Sequence, residues 1–229
     1  MFFLYAVVWS FGAVLDDAGK KSFSQFLRKS TSDAFRIPSR NNKMFKIEKS
    51  SQIPESVNNV HNYFIEHHRW RLWKELLDKM DKEIQFDHSL QFHEIVVPTT
   101  ETLHYSFLLN LMVKNEIPTV FVGPTGTGKT VYISKYIRSL SIEEYVSIFA
   151  CFSAKTSANQ VQDIIDHKME KRGRRLFGPP FGKKCIVFVD DLNMPQIEET
   201  GAQPPIELLR QFMDHKGWYD RKEKNFREL

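Results

Sequence analysis

Eight consecutive residues, GPTGTGKT at Gly123–Thr130, match the phosphate-binding loop pattern without interruption. The small residues allow the backbone N–H groups from about Thr125 to Lys129 to point inward and hold phosphate oxygens. The Lys129 ammonium has the reach for the β- and γ-phosphates, and the Thr130 hydroxyl is a ligand that Mg²⁺ accepts. A glycine-rich turn without a ligand is the alternative, but the apolar run before the loop and the helical pattern after it favour a nucleotide site. The predicted nucleotide-binding residues are Gly123, Pro124, Thr125, Gly126, Thr127, Gly128, Lys129 and Thr130.

Two adjacent acids end the apolar run in the stretch CIVFVDDLNMP. A phosphate-loop fold needs a second strand that ends in Asp, because Mg²⁺ prefers carboxylate and water oxygens. We predict Thr130 and Asp190 as the metal ligands, and Asp191 and Lys129 as the catalytic residues, with Asp191 orienting the attacking water. Asp191 is one methylene shorter than Glu, and a misplacement of about 1 Å costs on the order of a hundredfold in rate. The pair therefore predicts a site that holds nucleotide more than it hydrolyses it.

Short apolar runs alternate with helical patterns after His93. The runs are FHEIVV, IPTVFV, YVSIFAC and CIVFVD, and the helical patterns include TETLHYSFLLNLMVK and TVYISKYIRSL. Apolar strands that alternate with helices predict an α/β fold with a largely parallel sheet, covered by helices on both faces.

The chain opens on MFFLYAVVWSFGAVL, which carries no charged residue and is shorter than the roughly 20 residues that span a bilayer. A buried helix is therefore expected here, rather than a membrane or targeting segment. KKSFSQFLRKS continues with apolar residues at a helical spacing. Residues 31 to about 60 are polar and predict a connection with little core of its own.

From His61, the stretch HNYFIEHHRWRLWKELLDKM is rich in aromatic residues and predicts a helix. The spacing of its aromatic residues indicates packing rather than a cofactor site. These aromatic residues are Tyr63, Phe64, Trp70 and Trp73. His61, His67 and His68 lack the spacing of a metal site, and we expect them at the surface.

Charge and cysteine content exclude few classes of protein. The net charge of +4 is mild and does not require an acidic partner. The basic stretch KRGRRLFGPPFGKK has only two aromatic residues, which favours a solvated loop or a contact with a neighbouring module over nucleic-acid binding.

Cys151 and Cys185 lie in apolar runs, which predicts buried thiols in a reducing compartment rather than a disulfide.

Several long stretches resemble the dynein heavy chain family of AAA+ motors, axonemal type. They are VFVDDLNMP with ETGAQPPIELLRQFMDH, FSAKTSANQVQDIIDHKMEKRGRRLFGPPFGKK and FHEIVVPTTETLHYSFLL. This part is similar to the third AAA+ module of that family, and FFLYAVVWSFGAVLDDAGKKSFSQFLR resembles the closing helical part of the module before it. The resemblance covers most of the chain and is weakest from about residue 31 to 60.

The resemblance implies a six-module ring in which the third module binds nucleotide in a regulatory role. It implies ATP or ADP with Mg²⁺ as cofactors, Gly123–Thr130 as Walker A, and Asp190 with Asp191 as Walker B. It places the protein in the cytoplasm and cytoskeleton, at the axoneme of cilia or flagella, as a regulator of microtubule-based motor activity. The implied partners are the other AAA+ modules of the same heavy chain, dynein intermediate and light chains and, through the parent motor, microtubules, but neither nucleic acid nor membrane.

The same resemblance implies the positions of two further helices. Thr156 and Ser157 would open one helix, whose apolar residues pack on the sheet. These apolar residues are Val161, Ile164 and Ile165. Pro204 and Pro205 would start the next helix, because Pro is tolerated in a first turn. His104 departs from the family pattern, in which an Arg is expected before the loop.

We expect residues 1–30 to be the helical remnant of a preceding AAA+ module, 31–85 a connecting segment with the aromatic helix, and 86–229 an incomplete AAA+ nucleotide-binding subdomain. In the family, the sensor-1 strand lies between the Walker A and Walker B strands, and a helical lid and an arginine finger follow. None of these appears before Leu229. We therefore expect a fragment or truncated isoform that is unstable or oligomeric by itself. Its ATPase is expected to be slow or conditional, and inactive in isolation.

Two alternatives stay open. A stand-alone P-loop ATPase that acts on nucleic acid would show turnover that rises with added DNA or RNA, whereas the motor interpretation predicts no rise. A small-molecule kinase in the same class would need a substrate-binding acid or lid after the Walker B strand, and no candidate follows it. The second alternative is a truncated, non-catalytic remnant that binds no nucleotide, for which Lys129→Ala would make no difference.

Overall fold

Helices and short strands alternate along the chain, which confirms the mixed α/β architecture expected from the sequence. The computed structural model describes residues 1–32, 35–36, 44–45, 48–56, 59–83 and 97–229. The chain forms two compact units, Met1–Ile117 and Pro118–Leu229. The limits of the three predicted domains stay a prediction.

The first unit contains helices and two small antiparallel strand pairs. Its helices are α1 (Phe2–Phe11), α2 (Asp17–Ser32), α3 (Trp73–Glu83) and α4 (Thr100–Lys114). Its strands are β1 (Phe35–Arg36), β2 (Met44–Phe45), β3 (Tyr63–Glu66) and β4 (Arg69–Leu72). Its 3₁₀ turns lie at Lys49–Ser51 and Val60–Asn62.

The N-terminal helix α1 buries one face only. Leu4 and Val8 pack with Leu27 of α2 in the core of this unit. Phe2 and Phe3 on the same helix are 61% and 77% exposed. The expectation of a buried helix is therefore correct for one face and wrong for the other. No helix among the described residues is long and apolar enough to cross a membrane.

The aromatic stretch after His61 is a hairpin first and a helix only from Trp73, so the prediction of a helix from His61 is wrong for its first part. β3 and β4 pair antiparallel. His67 and His68 join them with φ of 47° and 57°, the geometry of a two-residue hairpin turn that matches strand twist. Phe64 stacks on Trp73 with ring centroids 4.3 Å apart. The prediction that the aromatic residues serve packing is confirmed for this pair.

The polar connection contributes more to the core than expected. Ile53 and Val60 are 4% and 1% exposed and join the α1–α2 core. Most of the predicted strand FHEIVV, residues 92–96, lies outside the described residues, and Val97 is 59% exposed.

The second unit holds the parallel sheet. Its helices are α5 (Lys129–Ser139), α6 (Ala158–Asp166) and α7 (Pro204–His215). Its strands are β5 (Tyr145–Cys151), β6 (Glu170–Lys171), β7 (Phe177–Gly178), β8 (Lys184–Asp190), β9 (Gly217–Tyr219) and β10 (Phe226–Glu228).

β5 and β8 pair in parallel over their whole length, from Tyr145 opposite Lys184 to Cys151 opposite Asp190. A parallel pair needs a crossover, which here includes α6. The buried residues on one side of the sheet form a single cluster with α6 and Trp218. The residues from β5 and the position after it are Ile148, Ala150 and Phe152, and those from α6 are Val161 and Ile165.

The apolar positions of α6 do not all reach this core. Val161 and Ile165 are four positions apart and lie on one helical face, at 1% and 5% exposure. Ile164 is 41% exposed, so its predicted packing on the sheet is wrong. Because successive helical residues are rotated by about 100°, Ile164 lies at the margin of the face that carries Val161 and Ile165.

A capping box marks the start of α6, and two prolines mark the start of α7. The Ser157 hydroxyl accepts from the Gln160 N–H at 3.3 Å, while the Gln160 side chain accepts from the Ser157 N–H at 2.9 Å. This reciprocal capping box satisfies two N–H groups at the helix start. Pro204 and Pro205 occupy the first turn of α7. Both helix starts are confirmed.

The predicted strand IPTVFV is not a strand. Residues 117–124 have no regular secondary structure, and Val120 and Val122 are 71% and 91% exposed. Within the described residues, β5 and β8 pair only with each other. An apolar run becomes a strand only where a neighbouring strand completes its hydrogen bonds. The sheet does not extend to this run, so the prediction is wrong here.

The cysteines are less buried than expected. Cys151 is exposed and Cys185 is partly buried, and neither forms a disulfide. Burial raises the pKa of the Cys185 thiol to about 11. The expectation of a buried thiol is wrong for Cys151, because β5 ends there at the edge of the core.

The basic stretch after α6 is partly ordered as the β6–β7 hairpin. The Arg227 guanidinium lies 4.7 Å from the centre of the Phe177 ring. Phe181 is 93% exposed. Of its two aromatic residues, Phe177 is therefore partly buried and Phe181 is open to solvent.

Candidate functional site

The loop GPTGTGKT forms a tight turn that leads directly into α5. Gly126 and Gly128 both have φ of 80°, a left-handed conformation that residues with a Cβ rarely adopt. Gly128 is the N-cap of α5 and provides no side chain to cap the helix. The first turn of a helix has N–H groups without intrahelical partners, and the helix dipole favours an anion there. The loop therefore has the backbone form of an anion site.

The Lys129 side chain lies across its own loop. Its ammonium donates to the Gly123 carbonyl at 2.9 Å, to the Pro124 carbonyl at 2.6 Å and to the Thr127 hydroxyl at 3.3 Å. The Thr127 hydroxyl also donates to the Pro124 carbonyl at 3.0 Å. These bonds hold the charge of Lys129 over the loop.

The two predicted metal ligands come together in the fold. The Thr130 hydroxyl donates to Asp190 Oδ1 at 3.0 Å, although 60 positions separate them in the chain. Thr130 lies in the first turn of α5, and Asp190 is the last residue of β8. Among the described residues, no group of three or more His, Cys, Asp or Glu side chains is arranged so that it could hold a metal ion. One hydroxyl and one carboxylate fit Mg²⁺, which keeps several waters and completes its shell with phosphate oxygens.

Asp191 follows Asp190 in an unusual backbone conformation. Its φ is 52°, which Asp tolerates better than most residues. Its N–H donates to Asp190 Oδ1 at 3.1 Å, so the same oxygen accepts from both Thr130 and Asp191. Asp191 therefore orients Asp190 through its backbone.

The sequence analysis missed one residue at this site. An ideal Cβ at Gly128 would lie 2.7 Å from Cε2 of Tyr132. The ring of Tyr132 therefore packs on the loop. An aromatic residue four positions after a loop glycine is the signal that could have identified it, because helical side chains point back toward the N-terminus.

The first unit contains a second group of polar side chains, here called the histidine–tryptophan cluster: Trp9, His61, Trp73 and His104. The His104 ring lies 5.0 Å from Trp73 and 5.8 Å from Trp9, and the His61 ring lies 5.4 Å from Trp9. His61 is 4% exposed, so its predicted surface position is wrong, whereas His67 and His68 are exposed as expected.

Burial determines the charge state of this cluster. It lowers the pKa of His104 to about 4, with smaller contributions from His61 and Lys20. Burial also lowers the pKa of His61, although its contact with the Gly12 carbonyl at 3.0 Å opposes the change. Both rings are neutral near pH 7. A cavity of about 330 Å³ in the first unit is lined by Trp9, His61 and His104, among others.

A parallel sheet with a phosphate-binding loop at the start of α5 defines a P-loop α/β domain. A family model described as P-loop containing dynein motor region matches residues 84–229. A second model, described as Dynein heavy chain AAA lid domain, matches residues 1–75. The chain belongs to the P-loop dynein motor family.

Two of the relatives match nearly the whole chain, and a third matches a little more than half of it. Dynein axonemal heavy chain 12 of Mus musculus is 43% identical over 235 residues, which cover 96% of this chain and 7% of that protein. Dynein axonemal heavy chain 3 of Mus musculus is 41% identical over 228 residues, covering 97% of this chain and 5% of that protein. Dynein axonemal heavy chain 1 of Rattus norvegicus is 57% identical over 129 residues, 56% of this chain and 3% of that protein.

The chain thus spans at most 7% of the length of these curated relatives. The similarity to axonemal dynein heavy chains confirms the family expected from the sequence. It does not favour the alternative of a stand-alone P-loop ATPase that acts on nucleic acid.

Proposed function

We propose that the second unit binds ATP or ADP with Mg²⁺ at Gly123–Thr130. The observation that carries this proposal is the 3.0 Å hydrogen bond between the Thr130 hydroxyl and Asp190. It brings the last residue of the loop motif to the strand-end acid, where a cation that bridges phosphates needs both oxygens. Family membership supports nucleotide binding by a module of this kind.

Each residue has one task in this proposal. The N–H groups of the α5 first turn bind phosphate oxygens, and Thr130 and Asp190 hold Mg²⁺, which neutralises phosphate charge when bound. Lys129 supplies a positive charge to the β- and γ-phosphates. Because its ammonium now contacts the Gly123 and Pro124 carbonyls, it exchanges these contacts for phosphate oxygens when nucleotide binds.

Asp191 is the proposed residue for orienting water. Its carboxylate is shorter than that of Glu, and its backbone is held with φ of 52°. Both features support a site that retains nucleotide and hydrolyses it slowly, because a water about 1 Å out of place costs on the order of a hundredfold in rate.

We further propose that this module serves in an axonemal dynein heavy chain. There, the nucleotide state of the site would regulate microtubule-based movement in cilia or flagella. Other AAA+ modules of the heavy chain, intermediate and light chains, and microtubules are the proposed partners of the parent motor. The similarity to dynein axonemal heavy chains 12 and 3 supports the axonemal assignment.

The test is binding of a fluorescent N-methylanthraniloyl ADP to the 229-residue chain. Lys129→Ala removes a charge-assisted contact and should weaken binding about 10- to 100-fold. Lys135→Ala is the matched control, since Lys135 lies on the exposed part of the same helix. Equal affinity of the Lys129→Ala chain and the wild type would refute the proposed site. Turnover that rises with added DNA or RNA would refute the motor assignment.

A further inference from the structure

Tyr132 contacts Gly128 through both its backbone and its ring. The Tyr132 N–H donates to the Gly128 carbonyl at 3.1 Å, a bond of the first turn of α5. The ring lies over the same glycine. An ideal Cβ at Gly128 would be 2.7 Å from Cε2, 3.3 Å from Cζ and 3.4 Å from Cδ2 of Tyr132. The ring edge therefore occupies the space that a side chain at Gly128 would need.

The two left-handed glycines of the loop differ in this respect. Gly126 and Gly128 both have φ of 80°, but a Cβ at Gly126 would meet no atom within 4 Å. Gly126 is thus required by its backbone conformation alone. At Gly128, both the left-handed conformation and the ring of Tyr132 require a residue without a side chain. A comparison of substitutions at Gly126 and Gly128 therefore separates the effect of the ring from that of the backbone conformation.

The conformation of Gly128 matters because this residue immediately precedes the N–H groups of α5 that would bind a phosphate. As N-cap of α5, it sets the direction of the peptide that enters Lys129 and Thr130. The loop itself is exposed and is held otherwise by hydrogen bonds of Lys129 and Thr127 within the loop. A ring packed on Gly128 restricts the loop from the helix side.

We propose that Tyr132 is a positioning residue for the phosphate loop: its ring holds Gly128 in the left-handed conformation that aims the first N–H groups of α5 at the nucleotide. The ring carries this role rather than the hydroxyl, because the three heavy atoms nearest to a Cβ at Gly128 are all ring carbons of Tyr132. The proposal rests on the proposed nucleotide site and adds the element that keeps its backbone in the binding conformation.

The first experiment measures affinity for N-methylanthraniloyl ADP in three variants of the 229-residue chain. Tyr132→Ala should weaken binding about tenfold, less than the hundredfold that a misplacement of ~1 Å can cost. Tyr132→Phe keeps the ring and should bind like the wild type. Tyr136→Ala makes the same truncation one turn further along α5 and should also bind like the wild type. Wild-type affinity in Tyr132→Ala, or an equal loss in Tyr136→Ala, would overturn the proposal.

A double-mutant cycle tests the contact itself. Gly128→Ala should weaken binding more than Gly126→Ala, because only the former meets the ring. In the Tyr132→Ala background the two glycine substitutions should have equal effects, since only the cost of the left-handed backbone remains. If the affinity loss of the double variant equals the product of the losses of Gly128→Ala and Tyr132→Ala, the proposed contact is contradicted.

Amide hydrogen exchange of the loop separates this proposal from the nucleotide site. In the nucleotide-free chain, Tyr132→Ala should speed exchange at residues 125–129 about tenfold, and Tyr132→Phe should not. If the wild type binds no nucleotide, the proposed function fails, while the exchange result still decides the role of Tyr132. Unchanged exchange in Tyr132→Ala would overturn that role.

Discussion

The phosphate loop and the histidine–tryptophan cluster hold polar groups in opposite ways. The loop is exposed, and backbone carbonyls and hydroxyls satisfy Lys129 and Thr127. His61, Trp73 and His104 of the cluster are buried, and among the described residues His61 Nδ1, Trp73 Nε1 and His104 Nε2 have no hydrogen-bond partner. An unsatisfied buried polar group costs about 1–3 kcal/mol.

This difference indicates what each region contributes. On the proposed function, the exposed loop groups exchange one partner for another at low desolvation cost when nucleotide binds. Cluster groups are held by ring packing and remain neutral, as a core requires. Substitutions in the cluster should therefore change the free energy of unfolding, and substitutions in the loop should change nucleotide affinity.

The largest expected effect is that of Trp73→Ala. Trp73 is 1% exposed and contacts Phe64, His104 and Phe107 through its ring. Its removal should lower the free energy of unfolding by about 3–5 kcal/mol, measured by urea denaturation. Phe3→Ala is the control, because Phe3 is 77% exposed and should change stability by about 0.5 kcal/mol or less. Similar losses in both variants would remove the contrast between core and surface.

The second effect is a loss of stability in acid that depends on His104. Its pKa is lowered from 6.5 to about 4 in the folded protein, so the unfolded chain binds the proton more readily. This contribution to stability is complete above pH 6.5 and is lost as the pH falls toward 4, on the order of 3 kcal/mol.

Urea denaturation between pH 7 and pH 4 measures this dependence on pH. His104→Phe keeps an aromatic ring without a titrating group, and the slope of stability against pH should become smaller. His67→Phe is the control, since His67 lies on the exposed hairpin turn. An unchanged slope in His104→Phe would show that His104 is not the group responsible.

The third effect separates Mg²⁺ from nucleotide at the loop. Thr130→Ala removes the hydroxyl that contacts Asp190 and should cost about 2 kcal/mol of affinity in the presence of Mg²⁺. With EDTA present, wild type and variant should bind alike. Thr130→Ser retains the hydroxyl and should restore Mg²⁺-dependent affinity. A loss of equal size with and without Mg²⁺ would argue against a metal role for Thr130.

The smallest expected effect is that of Asp191→Glu, measured as ATP hydrolysis in a complete dynein ring. The longer carboxylate should reach the water better and raise hydrolysis at this module about tenfold. The left-handed backbone at Asp191 partly opposes the change, because Asp tolerates this conformation better than Glu does. Asp191→Asn keeps the length and removes the charge, and should show no increase. An unchanged rate in Asp191→Glu would contradict a site limited by side-chain length.

Local patterns predicted the features that depend on nearby residues. The turn and helix of Gly123–Thr130 follow from small residues and a helix start, and the beginnings of α6 and α7 follow from a capping box and two prolines. The predictions failed where contacts with other parts of the chain decide the local structure. IPTVFV has the composition of a strand but does not form one, because a β-ladder requires a partner strand. The aromatic stretch fits a helix in spacing, but its part before Trp73 forms a hairpin, because His67 and His68 turn the chain.

The sequence by itself determined the family, the loop and the strand that ends in Asp190. These are encoded in contiguous residues, because phosphate binding by a loop uses backbone groups whose geometry small residues set. Only the tertiary structure decided that the Thr130 hydroxyl meets Asp190 across 60 positions, that His61 and His104 are buried and neutral, and that Tyr132 packs on Gly128. The physical reason is that distance, burial and the resulting charge state depend on which elements pack together, and no single stretch of residues specifies its partners.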